Sequence, residues 1–239
     1  GDDDVHGDWR SGGRLTAGYW FTPDHCAGVE ANFFEIDGLD IAFTAEDDEA
    51  YELFRPIIDV DSGVADVIPI TNQFQDYTFQ YVSARSDVDL LGSEVLWRQR
   101  MHSGSGYRLD WVGGYRYLRL YDGLSVDEVY GRAEEDDESE TLYVRVRADG
   151  FESENEFHGG EFGLIGRWWG CRWALQTLGK VALGATRTGT RVNGHVPTTE
   201  YPESGGSSTT VQQGGVLALP SNIGSYGQSE MAGVIELGV

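Results

Sequence analysis

The stretch YRLDWVGGYRYLRLY, residues 107–121, separates its side chains by parity. Arg108, Asp110 and Arg116 occupy even positions, whereas aromatic and aliphatic residues occupy the odd positions as far as Tyr117. Because the side chains of a β-strand alternate between its two faces, this stretch predicts a strand with one charged face and one aromatic face. The fold class therefore depends on which of these faces is the inside.

The same alternation recurs along the chain, and no segment has the pattern of an amphipathic helix. Hairpins with tight turns are predicted at 22–25, 101–106 and 169–171, and a last strand at 233–239. Long polar connections lie at about 37–75, 122–140 and 193–228. The alternation of short turns with long connections predicts an all-β, antiparallel up-and-down meander with short turns at one end and long loops at the other. Such a meander requires long strands over 77–100 and 141–168 that extend beyond a membrane.

The composition limits the classes of protein and of partner. The chain has 239 residues, with 40 acidic against 17 basic side chains and a net charge of −23. Such an acidic chain repels nucleic-acid phosphates, so no nucleic-acid partner is expected. There is no run of about 18 apolar residues, which excludes a transmembrane helix. We expect an acidic N-terminal segment at 1–12 and a single β-domain at 13–239.

Two interpretations of the charged and aromatic faces are open. In a soluble sandwich the apolar face is the core, whereas in a membrane barrel apolar side chains face lipid and polar ones face the lumen. Three details favour the barrel. The stretch from Tyr107 to Tyr117 is close to the ~9–11 residues of a membrane strand. Glycine alternates with glutamate on the polar face, as at Gly92 and Glu94, and tyrosine and tryptophan gather at the strand ends as in interfacial girdles.

The barrel interpretation assigns side chains to each face. The predicted lumen-lining residues are Arg14, Glu30, Asn32, Glu94, Arg98, Arg108, Asp110, Arg116, Glu161, Arg167, Lys180 and Glu236. The predicted lipid-facing and girdle residues are Tyr19, Phe33, Trp97, Tyr107, Trp111, Tyr115, Tyr117, Trp168 and Trp173. The predicted wall is nearly neutral, so the negative charge belongs to the loops. A wall that carries both acidic and basic side chains either lines an open polar pore or fills the interior of the barrel with ion pairs.

Several segments also carry a family resemblance. In chain order they are SGGRLTAGYWF, GVEANFF, YRLDWVGGYRYLRL, NEFHGGEFGL, KVALGATRTGTRVNG and GGVLALPSNIGSY. From about residue 11 onward they are similar to a planctomycete family of β-barrel porins. The resemblance implies a β-barrel in the outer membrane of a Gram-negative type envelope, with outer-membrane lipid around it. The family pattern continues before Ser11 and past Val239, so the chain is expected to be a fragment that lacks N-terminal and C-terminal strands.

The expected function is passive diffusion of small hydrophilic solutes through the barrel, with the long loops extracellular. The alternatives are a structural surface protein with a plugged barrel and a soluble all-β binding module or adhesin.

Catalysis and cofactors find little support in the sequence. The five histidines have no metal-ligand spacing, and no G-x-S-x-G motif is present, so no enzyme, catalytic residue, cofactor or metal site is expected. The acidic runs at 45–52, 59–66 and 134–140 offer ligands to divalent cations, although their spacing fits solvated, self-repelling loops better. Cys26 and Cys171 either form one disulfide or stay unpaired.

Overall fold

The computed structural model describes residues 10–36, 38, 41–46, 54–58, 64–69, 77–136 and 139–239. Most of the predicted acidic N-terminal segment 1–12, and most of the acidic runs at 45–52 and 59–66, lies outside these residues. In the described part of the chain, no helix is long and apolar enough to cross a membrane.

The described residues form strands throughout. The strands are β1 (Gly12–Trp20), β2 (Ala27–Ile36), β3 (Ile41–Glu46), β4 (Phe54–Ile58), β5 (Ala65–Pro69), β6 (Tyr77–Gly104), β7 (Tyr107–Asp136), β8 (Ser139–Trp169), β9 (Ala174–Pro202), β10 (Ser208–Gln213) and β11 (Gly224–Gly238). One antiparallel sheet runs in the order β1-β2-β6-β7-β8-β9, and β11 pairs with the first part of β9. Strand β3 pairs with β6, β10 pairs with the last part of β9, and β4 and β5 form a separate hairpin. The predicted antiparallel meander is confirmed.

The four central strands are unusually long. Strands β6, β7, β8 and β9 contain 28, 30, 31 and 29 residues. A membrane strand needs only about 9–11 residues, so each of these strands is long enough to cross a bilayer and continue well beyond it. The long strands that the meander required over 77–100 and 141–168 are therefore confirmed.

The predicted tight turns are also present. Between β1 and β2, the His25 backbone N–H donates to the Thr22 carbonyl at 2.9 Å, and the Cys26 N–H donates to the Thr22 hydroxyl at 3.0 Å. His25 takes a positive φ of 56°, which lets the chain reverse within a few residues. The turns after β6 and β8 are similarly short, which places all three at one end of the sheet.

Residues 122–140 do not form the expected long loop. Strand β7 continues to Asp136 and β8 begins at Ser139, so this region extends the hairpin. The physical reason lies in the partner strand: Glu128 lies opposite Arg147 and 3.6 Å from it, and Tyr130 lies opposite Arg145. Cross-strand pairs of opposite charge offset the repulsion that the acidic run suggested.

The other two predicted connections also contain strands. Strands β3, β4 and β5 lie within 37–75. In 193–228, β9 continues to Pro202 and β10 folds back onto it, so the connection that precedes β11 is shorter than expected. The polar composition of both segments hides these short strands.

The sheet is strongly curved. Lys180 on β9 and Glu94 on β6 are separated by two intervening strands, yet the Lys180 Nζ lies 2.7 Å from both Glu94 carboxylate oxygens. Neighbouring strands lie about 4.8 Å apart, so these side chains can meet only across a concave face. Arg14 of β1 also lies 3.9 Å from Glu236 of β11, at the opposite edge. In the described residues no strand pairing joins β1 to β11, so the sheet is not closed.

Candidate functional site

The concave face of the sheet carries its side chains in three successive levels. The central layer comprises Glu94, Arg116, Glu161, Lys180 and Glu236. The apolar layer comprises Leu96, Val112, Ile165 and Leu178. The turn-side layer, nearest the short turns, comprises Glu30, Arg98, Arg108, Asp110 and Arg167. Strands β6, β7 and β8 each contribute to all three layers, because every second residue of a strand faces the same side.

The central layer is a buried network of ion pairs. The Lys180 Nζ lies 2.7 Å from Glu94, 3.0 Å from Glu236 and 3.6 Å from Glu161. The Arg116 Nη1 lies 2.8 Å from Glu161 and 2.7 Å from Glu236. Lys180 is 4% exposed and Arg116 6%. Charges this buried persist only when they are paired, so the five side chains depend on one another.

Two further residues border the central layer. The Asn32 Nδ2 donates to Glu94 at 2.7 Å and lies 3.4 Å from Glu30, so it joins the central layer to the turn-side layer. Arg14 approaches Glu236, although its side chain is mostly exposed.

The turn-side layer is centred on Asp110, which is fully buried. Arg98 donates from Nε to Asp110 at 2.8 Å and from Nη1 to Glu30 at 2.9 Å. Arg108 donates from Nε to the same Asp110 carboxylate at 2.7 Å. Both guanidinium groups also lie over the Trp20 ring, at 4.6 Å for Arg108 and 5.6 Å for Arg98. These cation–π contacts hold the two arginines side by side.

The apolar layer separates the two charged layers. Leu96, Val112 and Ile165 are buried and pack together, with Leu178 against them. Apolar neighbours lower the local dielectric, which strengthens the ion pairs on either side and raises the cost of breaking them.

Glycine makes room for the central layer. A Cβ at Gly163 would lie 2.6 Å from the Lys180 Cγ, and one at Gly92 would overlap the Phe34 ring. Lys180 and Phe34 can therefore lie flat on the wall only because these positions lack a side chain. The interpretation of glycine as the residue that relieves crowding on the polar face is consistent with both positions.

A second polar site fastens the connection before β11 to the wall. The Asp149 carboxylate accepts hydrogen bonds from the backbone N–H groups of Val216 at 2.9 Å, Leu217 at 2.8 Å and Ala218 at 3.1 Å. Asp149 is nearly fully buried and Ala218 is completely so. Because Asp149 shares the face of Glu161 on β8, residues 214–223 form a strap across the concave side.

The convex face is apolar and exposed. Leu237 is 81% exposed, Ile235 71% and Leu183 67%. The predicted lipid-facing residues that are exposed are Tyr19, Phe33, Trp97, Tyr107, Tyr115, Trp168 and Trp173, while Trp111 and Tyr117 are half-buried. This is the inverse of a soluble sheet, in which large apolar side chains are buried and charged ones are exposed.

The structure brings together most of the residues predicted to line the lumen. Glu94, Arg116, Glu161, Lys180 and Glu236 meet in the central layer, and Glu30, Arg98, Arg108, Asp110 and Arg167 belong to the turn-side layer. Asn32 bridges the two layers, and Arg14 stands at the edge. That these residues line a lumen stays a prediction.

Sequence reasoning missed Trp20, Asp149 and the four residues of the apolar layer. Trp20 has the same parity as Arg14 and Gly18, a signal that would have placed it on the concave face. Asp149 carried no local signal, because its partners lie 67 to 69 residues further along the chain.

The carboxylates of the central layer have the proximity of metal ligands. One oxygen each from Glu94, Glu161 and Glu236 lies within 4.8 Å of the others. The Lys180 ammonium, however, already lies within hydrogen-bond distance of two of them and takes the position of a cation. The arrangement is therefore better described as a tethered internal cation than as a metal centre.

The two cysteines are free thiols near the short turns. The thiol of Cys26 donates to the Asp24 carboxylate at 2.5 Å and contacts the Arg100 guanidinium. The hydrogen bond to Asp24 raises the pKa of the Cys26 thiol, and the same bond holds the pKa of Asp24 well below its usual range. Cys171 is exposed in the turn between β8 and β9.

A curved antiparallel sheet with a charged, buried concave face and an apolar, exposed convex face is typical of the class of β-barrel membrane proteins. The family model described as "Putative beta barrel porin-7" matches residues 1–239, and the chain belongs to this family. The resemblance to β-barrel porins is thereby confirmed, whereas the planctomycete source stays a prediction. Comparisons with curated proteins and with solved structures found no match.

Proposed function

We propose that this protein is an outer-membrane β-barrel that lets small hydrophilic solutes diffuse passively along its polar inner wall. The observation that carries the proposal is the polarity of the two faces of the sheet: the charged side chains of Lys180 and Glu161 lie on the concave face, whereas the apolar side chain of Leu237 is 81% exposed on the convex one. A bilayer stabilises such a sheet, whereas water does not. Membership of a porin family supports the same function.

In this proposal the central layer determines which solutes and ions pass through the barrel. Its charged side chains form a transverse field that a solute must cross, as rings of charge do in other pores. Acidic side chains at the ends of β7 and β8, such as Glu134 and Glu140, would collect cations, including divalent ones, at the opposite mouth.

Conductance in planar bilayers tests the proposal. The protein should give stepwise conductance, and Glu161→Gln should shift the ion selectivity away from cations, because it removes a buried negative charge from the central layer. Glu203→Gln, which changes an exposed acid near the β9–β10 turn, is the control and should leave selectivity nearly unchanged. Protein that inserts and migrates heat-modifiably on a gel but never conducts would refute passive diffusion.

A structural barrel with a filled interior is the second candidate. The burial of the central layer favours it, because small barrels are commonly filled by their own side chains. Absence of conductance in inserted protein is the result that this candidate predicts.

The proposed orientation places the short turns in the periplasm and the long-strand ends outside, as in bacterial barrels. Cys171 then reacts with a membrane-impermeant maleimide only after the outer membrane is permeabilised, because it lies in a short turn. If Cys171 of a Cys26→Ser variant is labelled in intact cells, the short turns lie outside the cell and the proposed orientation is wrong.

A further inference from the structure

A partly open cavity of about 220 Å³ lies at the turn-side layer. Its lining includes Trp20, Glu30, Arg98 and Arg167, so two guanidinium groups and an indole face the same space. A water molecule takes about 30 Å³ of liquid volume, and the cavity therefore has room for an ion of several heavy atoms.

Positive charge exceeds negative charge around this cavity. The turn-side layer contains three arginines but only two carboxylates, and both of these, Glu30 and Asp110, pair with Arg98 or Arg108. Arg167 donates from Nε to the Gln176 side chain at 2.6 Å, and among the residues that the structure describes no carboxylate pairs with it. Within the described part of the chain, the Arg167 guanidinium therefore has no ion pair of its own.

Arg98 adds positive charge next to this cavity. It is 3% exposed, its Nη1 lies 2.9 Å from Glu30, and its Nη2 lies 2.8 Å from Asp110. Because the Asp110 carboxylate also accepts a hydrogen bond from Arg108, one negative charge is shared between two guanidinium groups. The net charge beside the cavity is therefore positive, which favours an anion inside it.

We propose that this cavity binds one small oxyanion of the phosphate or carboxylate class. Arg167 supplies the donors, and its planar guanidinium group matches the oxygens of such anions, while Arg98 adds positive charge. Trp20 forms the apolar wall and holds Arg98 and Arg108 beside each other. The inference rests on the proposed function in placing the anion on the solute path, near the short-turn mouth.

Calorimetric titration of the full chain in detergent tests the proposal, with inorganic phosphate and acetate as separate probes at constant ionic strength. At least one probe should bind, and Arg167→Gln should weaken that binding roughly tenfold or more, because it removes a charge-assisted hydrogen bond. Arg172→Gln, at an exposed arginine of the adjacent turn, is the matched control and should bind like the parent protein.

A second variant distinguishes loss of the anion site from misfolding of the Arg167→Gln variant. Gln176→Glu keeps Arg167 but gives it a carboxylate partner, so it should weaken binding to a similar degree. Binding of neither probe, or equal binding by all variants, overturns the proposal. Conductance without anion binding would refute the anion site but not passive diffusion. Anion binding without conductance would refute passive diffusion but not the anion site.

Discussion

At the scale of single residues, Lys180 is the position on which the inner wall depends most. It is the only lysine of the chain, and its ammonium contacts three carboxylates inside the central layer. Because those carboxylates come from β6, β8 and β11, one side chain connects three strands of the curved sheet.

Replacement of this lysine tests the network. Lys180→Met should lower the free energy of unfolding by about 3–5 kcal/mol, because it leaves buried carboxylates with too little positive charge. Unfolding by urea from lipid vesicles measures the change. Arg119→Met is the control: Arg119 lies 3.9 Å from Glu154 in an exposed pair, and its loss should cost at most about 1 kcal/mol. Equal effects of the two substitutions would contradict the buried network.

At the scale of elements, the strap at 214–223 is held by Asp149 and by bonds of its own. The Gly214 N–H donates to the Gly194 carbonyl at 2.9 Å, and the Asn222 side chain bonds the backbone of Leu217 and Leu219. The strap is thus an ordered part of the concave face.

Asp149→Ala should release the strap without unfolding the strands. Three backbone N–H groups would lose their acceptor, at about 1–3 kcal/mol for each group that stays buried, so the strap should detach instead. Hydrogen exchange at residues 216–218 should become faster, with β8 and β9 unchanged. Asp122→Ala, at an exposed acid of β7, should leave exchange at the strap as it is. Unchanged exchange in Asp149→Ala would show that the carboxylate does not hold the strap.

The elements also show how far the sequence could predict the structure. The parity of residues 107–121 and the tight turns were sufficient for the meander, since both are local signals. The continuation of β7 past residue 122 was not predictable, because the arginine that compensates Glu128, Arg147, lies on the partner strand and the register of that strand is unknown beforehand. Contacts of Asp149 with the strap are similarly non-local.

At the scale of the whole molecule, the layers depend on register and curvature together. Lys180 lies beside Gly163 in the sheet, yet it pairs with Glu94 across the concave side. Alternation therefore predicted which residues share a face, but only the curvature of the sheet decides which of them meet.

The convex face of the sheet is expected to contact lipid, and spin labelling in lipid vesicles measures this contact. Single labels would replace convex residues Phe162, Leu183 and Ile235 or concave residues Leu118 and Val234, in a chain with both cysteines changed to serine. The convex labels should be relaxed strongly by oxygen, which concentrates in lipid, and weakly by a water-soluble nickel chelate. The concave labels should lack this preference. Convex labels that the nickel chelate relaxes more strongly than oxygen does would contradict the account.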